Sequence, residues 1–144
     1  MANTLPEELT READLRHGEY AWSINAFFAA LALAPTLGFA CLGGQFQLRP
    51  DPDTIYELFW LEANSSERLP GETWKSYSER SCTEVSKQFT WLVGGVDFEK
   101  EALKFKSIDP LLFSRSEKME PPVFCAYFVE EKEFENLKHV GVGV

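Results

Sequence analysis

Between Glu72 and Val93 the apolar residues recur every three or four positions. Trp74, Tyr77, Ser81, Val85, Phe89 and Leu92 share one helical face there, while Glu79, Arg80, Glu84 and Lys87 lie mostly outside that stripe. Gly94–Gly95 mark its end. A second helix is predicted over INAFFAALALA, residues 24–34, where Asn25 is the only polar residue, so it is buried on most sides. Ser23 is placed to cap it. Pro35 is placed to stop it, because proline has no N–H and pushes the residue before it out of helical geometry.

After Pro35 the period changes to two. FACLGGQFQL, residues 39–48, reads as a buried strand with an irregularity at Gly43–Gly44, where a bulge or a close backbone approach is expected. RPDPD is a turn with two prolines. TIYELFWLEA, residues 54–63, alternates as a strand antiparallel to 39–48. In a regular strand, Glu57 and Glu62 fall on opposite faces. NSSERLPGE is a loop, PPVFCAYFV a strand behind a proline boundary, EKEFENLKH a terminal helix and VGVGV a tail or edge strand. At the front, PEELTREADLRHG predicts a short polar helix from Pro6 to Gly18, and EYAW is a short strand or an extended lead into the next helix. VDFEKEALKFK fits neither period well and is compatible with a strand or a short helix. Together these elements predict an α+β fold: one domain over residues 1–144, an antiparallel sheet of about four or five strands with two or three helices packed on it.

The run AFFAALALAPTLGFACL, residues 26–42, raises a rival reading as an export or lipid-attachment signal. Its lead carries Glu7, Glu8, Glu12, Asp14 and Glu19 against Arg11 and Arg16, the wrong sign for such a signal. Phe39 is too bulky for the cleavage context, and Pro35, Thr36 and Gly38 interrupt a run already shorter than the roughly 20 apolar residues that span a bilayer. The expected compartment is the cytoplasm, with no membrane association.

Charge narrows the partners. The formal net charge is −9, and residues 1–72 hold eleven Asp/Glu against four Lys/Arg. Such a chain repels phosphate backbones and suits a basic protein partner, although acidity also serves solubility alone. Cys41, Cys82 and Cys125 are odd in number and widely spaced, which fits a reducing compartment better than a disulfide framework. Two histidines give no metal-ligand signature, and no cofactor is expected. No glycine-rich phosphate loop, Gly-x-Ser-x-Gly elbow or His-Glu-x-x-His pair is present. Cys125 with His139 is a conceivable nucleophile and base, but Cys125 sits in an apolar strand and reads as a structural thiol. Asp51 and Asp53, beside prolines, read as a solvated turn rather than a cation site. No enzyme is called for.

The order of segments is distinctive. GEYAW, an Ala-rich helix, ACLGGQFQL, a Trp-bearing strand and WKSYSERSCTEV resemble the immunity protein 40 family over residues 15–92. That family's pattern has Asn-Glu near the front, Ile-Leu-Gly-Gly-Asp in the first long strand, Asn-Trp-Tyr in the next, and Arg-Ser in the helix. Glu19, Leu42-Gly43-Gly44, Trp60 and Arg80-Ser81 match those points; Gln45 replaces the Asp, and Phe59-Trp60-Leu61 replaces Asn-Trp-Tyr. Residues 93–144 lie outside the resemblance, as a C-terminal extension of the same domain. The resemblance implies an immunity protein that binds and neutralises a cognate bacterial toxin domain, expected to be basic, by stoichiometric inhibition. Gln45, Glu57, Trp60, Glu62, Glu67 and Trp74 are the candidate partner contacts. Each also has a plain structural reading: the tryptophans as core, the glutamates as solvated surface, Gln45 as an ordinary strand residue. The alternatives are a small enzyme or ligand-binding domain, using a pocket between helix 72–92 and the sheet with Cys125, and an effector adaptor or chaperone.

Overall fold

The computed structural model describes residues 5–105 and 121–139. Its strands form one antiparallel sheet in the order β1-β2-β5-β3-β4. Strand β1 is Ala13–Arg16, β2 Glu19–Trp22, β3 Phe39–Asp51, β4 Thr54–Asn64 and β5 Val123–Glu130. The helices are α1 (Glu7–Thr10), α2 (Ile24–Leu33), α3 (Trp74–Gly95), α4 (Phe98–Ala102) and α5 (Glu131–His139), with 3-10 turns at Ala34–Leu37 and Leu103–Phe105. The α+β expectation holds. Strand β5 lies between β2 and β3, so the part of the chain outside the family resemblance supplies a central strand. The VGVGV tail lies outside the described residues.

The front of the chain corrects one expectation. Helix α1 stops at Thr10, and residues 13–22 form a hairpin instead of continuing a helix to Gly18. Arg16 faces Glu19, leaving His17–Gly18 as a two-residue loop, and both have positive φ (52° and 78°). That is the type I′ turn whose twist matches paired strands. The hairpin is held down by Trp22, which is buried and donates its indole Nε1–H to the Leu9 carbonyl at 2.9 Å. Within VDFEKEALKFK, residues 98–105 form the short helix α4 and a 3-10 turn, with Asp97 accepting from the Lys100 N–H as the cap.

The core is aromatic. Phe89 of α3 packs at 4.8–5.3 Å against Phe27 and Phe28 of α2, Phe46 of β3 and Phe124 of β5. Leu48, Leu58, Val85 and Phe128 close around them. A smaller cluster of Ala40, Tyr77 and Val129 forms on the other face, with Trp74, Phe134 and Leu137 packed against it. Helix α3 contributes to both clusters. Tyr77 belongs to the outer cluster, Cys82 through Leu92 to the inner one, and between them the Ser81 hydroxyl accepts the Cys41 N–H at 3.1 Å. That amide lies just past the last β3–β4 pair, Gly43 with Asn64, so a helix side chain replaces the missing strand partner.

Arg80 fixes the loop that leads into α3. Its guanidinium donates to the Glu72 and Glu84 carboxylates, the Ser66 hydroxyl and the Glu67 carbonyl, and lies 5.2 Å from the Tyr77 ring centre. The Arg80 hydrogen bonds, followed by the Leu69 N–H, pull the Glu72 carboxyl from its ordinary 4.5 down to about 2. A carboxyl held below its unfolded value stabilises the fold above that value, and the contribution drains away as pH falls through the folded one. Unfolding midpoints should therefore fall between about pH 4.5 and 2, and Glu72→Gln should flatten part of that decline. A Glu72→Gln profile parallel to the wild type would remove the assignment.

Candidate interaction surface

The β3–β4 register determines what the outer sheet face presents. Gln47 faces Glu57 and Gln45 faces Glu62, but Phe46 faces Leu58, so β4 carries extra residues between Leu58 and Glu62. This irregularity reverses the parity of the strand. Glu57 and Glu62 lie across from Gln47 and Gln45, two residues apart on β3, and therefore share the outer face. The expectation of opposite faces assumed a regular strand and is corrected here. The extra residues are Phe59-Trp60-Leu61: Leu61 turns into the core, while Phe59 (59% exposed) and Trp60 (41%) project outward.

The glycine pair lies at the neighbouring position of β3. Gly43 has φ +122°, and a Cβ there would stand 2.4 Å from the Ala63 carbonyl oxygen of β4. A Cβ on Gly44 would stand 1.9 Å from the Cys125 carbonyl oxygen of β5. Both flanking strands approach this point more closely than any side chain allows, as the expected irregularity required.

A polar network crosses the outer face through all five strands. Tyr127 donates to Glu19 at 3.0 Å, Gln47 Nε2 donates to Glu19 and Glu57, and Gln45 Nε2 donates to Glu57 at 2.6 Å. Arg49 donates through Nε to Gln47 and through Nη1 to Asp14, which also pairs with Arg16. Arg16 in turn donates to the Asp51 carbonyl. The reason is topological. Strand β5 begins at Val123 opposite Gln47, so beyond Gln47 β3 keeps β4 on one edge, has no β5 on the other, and reaches the β1–β2 hairpin there through side chains. Gln47 and Arg49 are buried, and their bonds satisfy most of that polar surface.

Beside this network a cleft of about 280 Å³ opens over the glycines. Gly43, Gly44 and Gln45 line it from β3, Glu62 and Asn64 from β4, and half-exposed Tyr127 from β5. Of the sequence-derived candidates, Gln45, Glu57 and Glu62 come together along β3 and β4, while Trp60 lies in the bulge against the segment that follows α3. Trp60 donates its indole N–H to Glu101, and Lys104 Nζ sits 4.7 Å from its ring centre. Glu67 is exposed in the loop beyond β4. Trp74 lies in the first turn of α3, donates to the Gly38 carbonyl and packs on Tyr77 and Phe134. Sequence reasoning missed Phe59, Asn64 and Tyr127. An outward Tyr127 was implied by the alternation of VFCAYFV, but without the strand order nothing placed it beside Glu62.

The pocket of the enzyme alternative is not where the sequence put it. The space between α3 and the sheet is filled by the phenylalanine cluster, and Cys125 points to the opposite face from its core neighbours Phe124 and Ala126. Burial, then the nearby Glu19 charge, pushes the Cys125 thiol up to about 12, which keeps it protonated. A groove of about 440 Å³ lies instead between α2 and α3, bordered by Phe28, Pro35, Glu79 and Lys87. Burial, then Cys125 and Glu19, raises the Tyr127 hydroxyl, which keeps its proton and serves as a donor. Asp51 accepts the Asp53 N–H at 2.9 Å, an Asx-type bond within the turn expected of RPDPD. Among the described residues no group of three His, Cys, Asp or Glu could hold a metal ion, and no helix is long and apolar enough to cross a membrane. Comparison of the chain with protein-family models, with curated proteins and with solved structures finds no match.

Proposed function

We propose that this protein is a cytoplasmic immunity protein that neutralises a cognate bacterial toxin domain by stoichiometric binding through the β3–β4 face. The observation that carries the reading is the β4 bulge, which leaves Phe59 and Trp60 exposed between Glu57 and Glu62 in the chain and brings those two carboxylates to the outer face. Exposed aromatics beside unshielded negative charge suit a basic protein surface: the rings supply buried contact area and the carboxylates speed capture and set register. The ordered resemblance in residues 15–92 supports the same class, as does the net charge of −9.

Coexpression with a candidate toxin domain, sought among the genes adjacent to its own, tests the proposal. Restored growth and a copurifying one-to-one complex are expected; continued killing with no complex would refute it. Phe59 touches Trp60 in the bulge and is otherwise exposed, so Phe59→Ala should leave thermal stability unchanged. The same substitution should weaken the complex by about tenfold or more, read by calorimetry.

A further inference from the structure

We infer that the cleft over the glycine pair is a receptor for an arginine side chain presented by the protein partner, an inference that rests on the binding role proposed above. The cleft has a floor without side chains, because Gly43 and Gly44 leave the backbone bare between β4 and β5. A long, flat side chain can lie over that floor, within the cleft of about 280 Å³. One wall is the half-exposed Tyr127, whose hydroxyl is anchored on Glu19. The other is the exposed Glu62, whose carboxylate accepts only from the Asn64 amide and has no Lys or Arg within ion-pair distance among the described residues. Its charge is therefore uncompensated, unlike those of Asp14, Glu72, Glu84 and Glu101, each of which pairs with a cation.

The adjacent groups point to guanidinium rather than ammonium. Gln45 gives its amide N–H to Glu57, which fixes the amide orientation and leaves its oxygen as a further acceptor. An aromatic ring, a carboxylate and an oriented amide oxygen together match a planar group that stacks and donates from several N–H bonds at once. Ammonium is a compact point charge that uses the carboxylate alone. The acidic outer face, with Glu19 and Glu57 nearby, adds long-range attraction for either cation.

The test needs no toxin at first. Nitrogen-15 spectra of the whole protein, titrated with Nα-acetyl-arginine amide, should show saturable shifts at Gly43, Gly44, Glu62 and Tyr127, with a dissociation constant on the order of 1–10 mM. The lysine analogue should bind more weakly, and the neutral citrulline analogue should give no saturable shift. Glu62→Gln, an exposed substitution that keeps the shape, should abolish the arginine shifts. Equal responses to arginine and citrulline, shifts elsewhere only, or a lysine response as strong as arginine would overturn the inference. In the complex, Glu62→Gln and Tyr127→Ala should each weaken toxin binding by about 30-fold or more. Wild-type neutralisation with both variants equally active sinks the cleft and leaves the proposed function standing. Arginine seated in the cleft without neutralisation sinks the proposed function and leaves the cleft.

Discussion

Gly44→Ala should destabilise the protein by about 3 kcal/mol or more, at the upper end of what overpacking costs. The added methyl would stand 1.9 Å from the Cys125 carbonyl oxygen and 2.8 Å from the Ala126 Cα. Both obstacles are backbone in the central strand, so no rotamer change relieves the overlap, and β3 must separate from β5. The pair occupies the middle of the sheet, where separation also breaks the buried contacts of Phe46 and Phe124. With folding free energies of about 5–15 kcal/mol, such a loss is a large part of the total. Denaturant unfolding checks it directly: the midpoint should drop sharply with an unchanged slope. Gly94→Ala is the matched control, because nothing lies within 4 Å of the added atom and the residue is helical. It should be neutral or stabilising by up to about 1 kcal/mol. Equal behaviour of the two variants would contradict the close-approach account.

Phe89→Ala should cost about 4 kcal/mol, the range found for emptied aromatic core sites. The ring is fully buried and touches four others, from α2, β3 and β5, so truncation leaves a cavity lined by rigid rings that collapse poorly. Phe89→Leu should recover more than half of the loss, since it restores most of the volume. Trp91→Ala, two residues further along, should change stability by no more than about 0.5 kcal/mol, because Trp91 is 76% exposed. A large cost at Trp91 or a small one at Phe89 would mean that α3 is rotated from the orientation described.

The landmarks of the family resemblance divide into two kinds. Gly43–Gly44 and Arg80–Ser81 have packing reasons: close strands, an organised loop and a satisfied edge amide. Glu19 and Trp60 differ, since they lie on the polar face and the aromatic bulge. Phe59 and Glu62 are exposed, so substitution there tests binding without disturbing the packing.

The sequence by itself determined the elements whose patterns are local. The 3.6-residue stripe from Tyr77 to Leu92 made α3, the uniformly apolar run capped by Ser23 made α2, and alternation made β3, β4 and β5. It also marked Gly43–Gly44 as a place of close approach. Three features were decided only by the tertiary structure. The β1–β2 hairpin depends on His17–Gly18 accepting positive φ and on Trp22 finding the Leu9 carbonyl, and charged residues along it hid the alternation. The strand order put residues 123–130 at the centre of the sheet, a long-range pairing that no local period encodes. The bulge at Phe59–Leu61 put Glu57 and Glu62 on one face. Register is fixed by which neighbours a strand finds, and a slip of odd parity sends every later side chain to the other face. The candidate site was legible as a set of residues on two strands; its geometry, a glycine floor between Tyr127 and Glu62, came from the register.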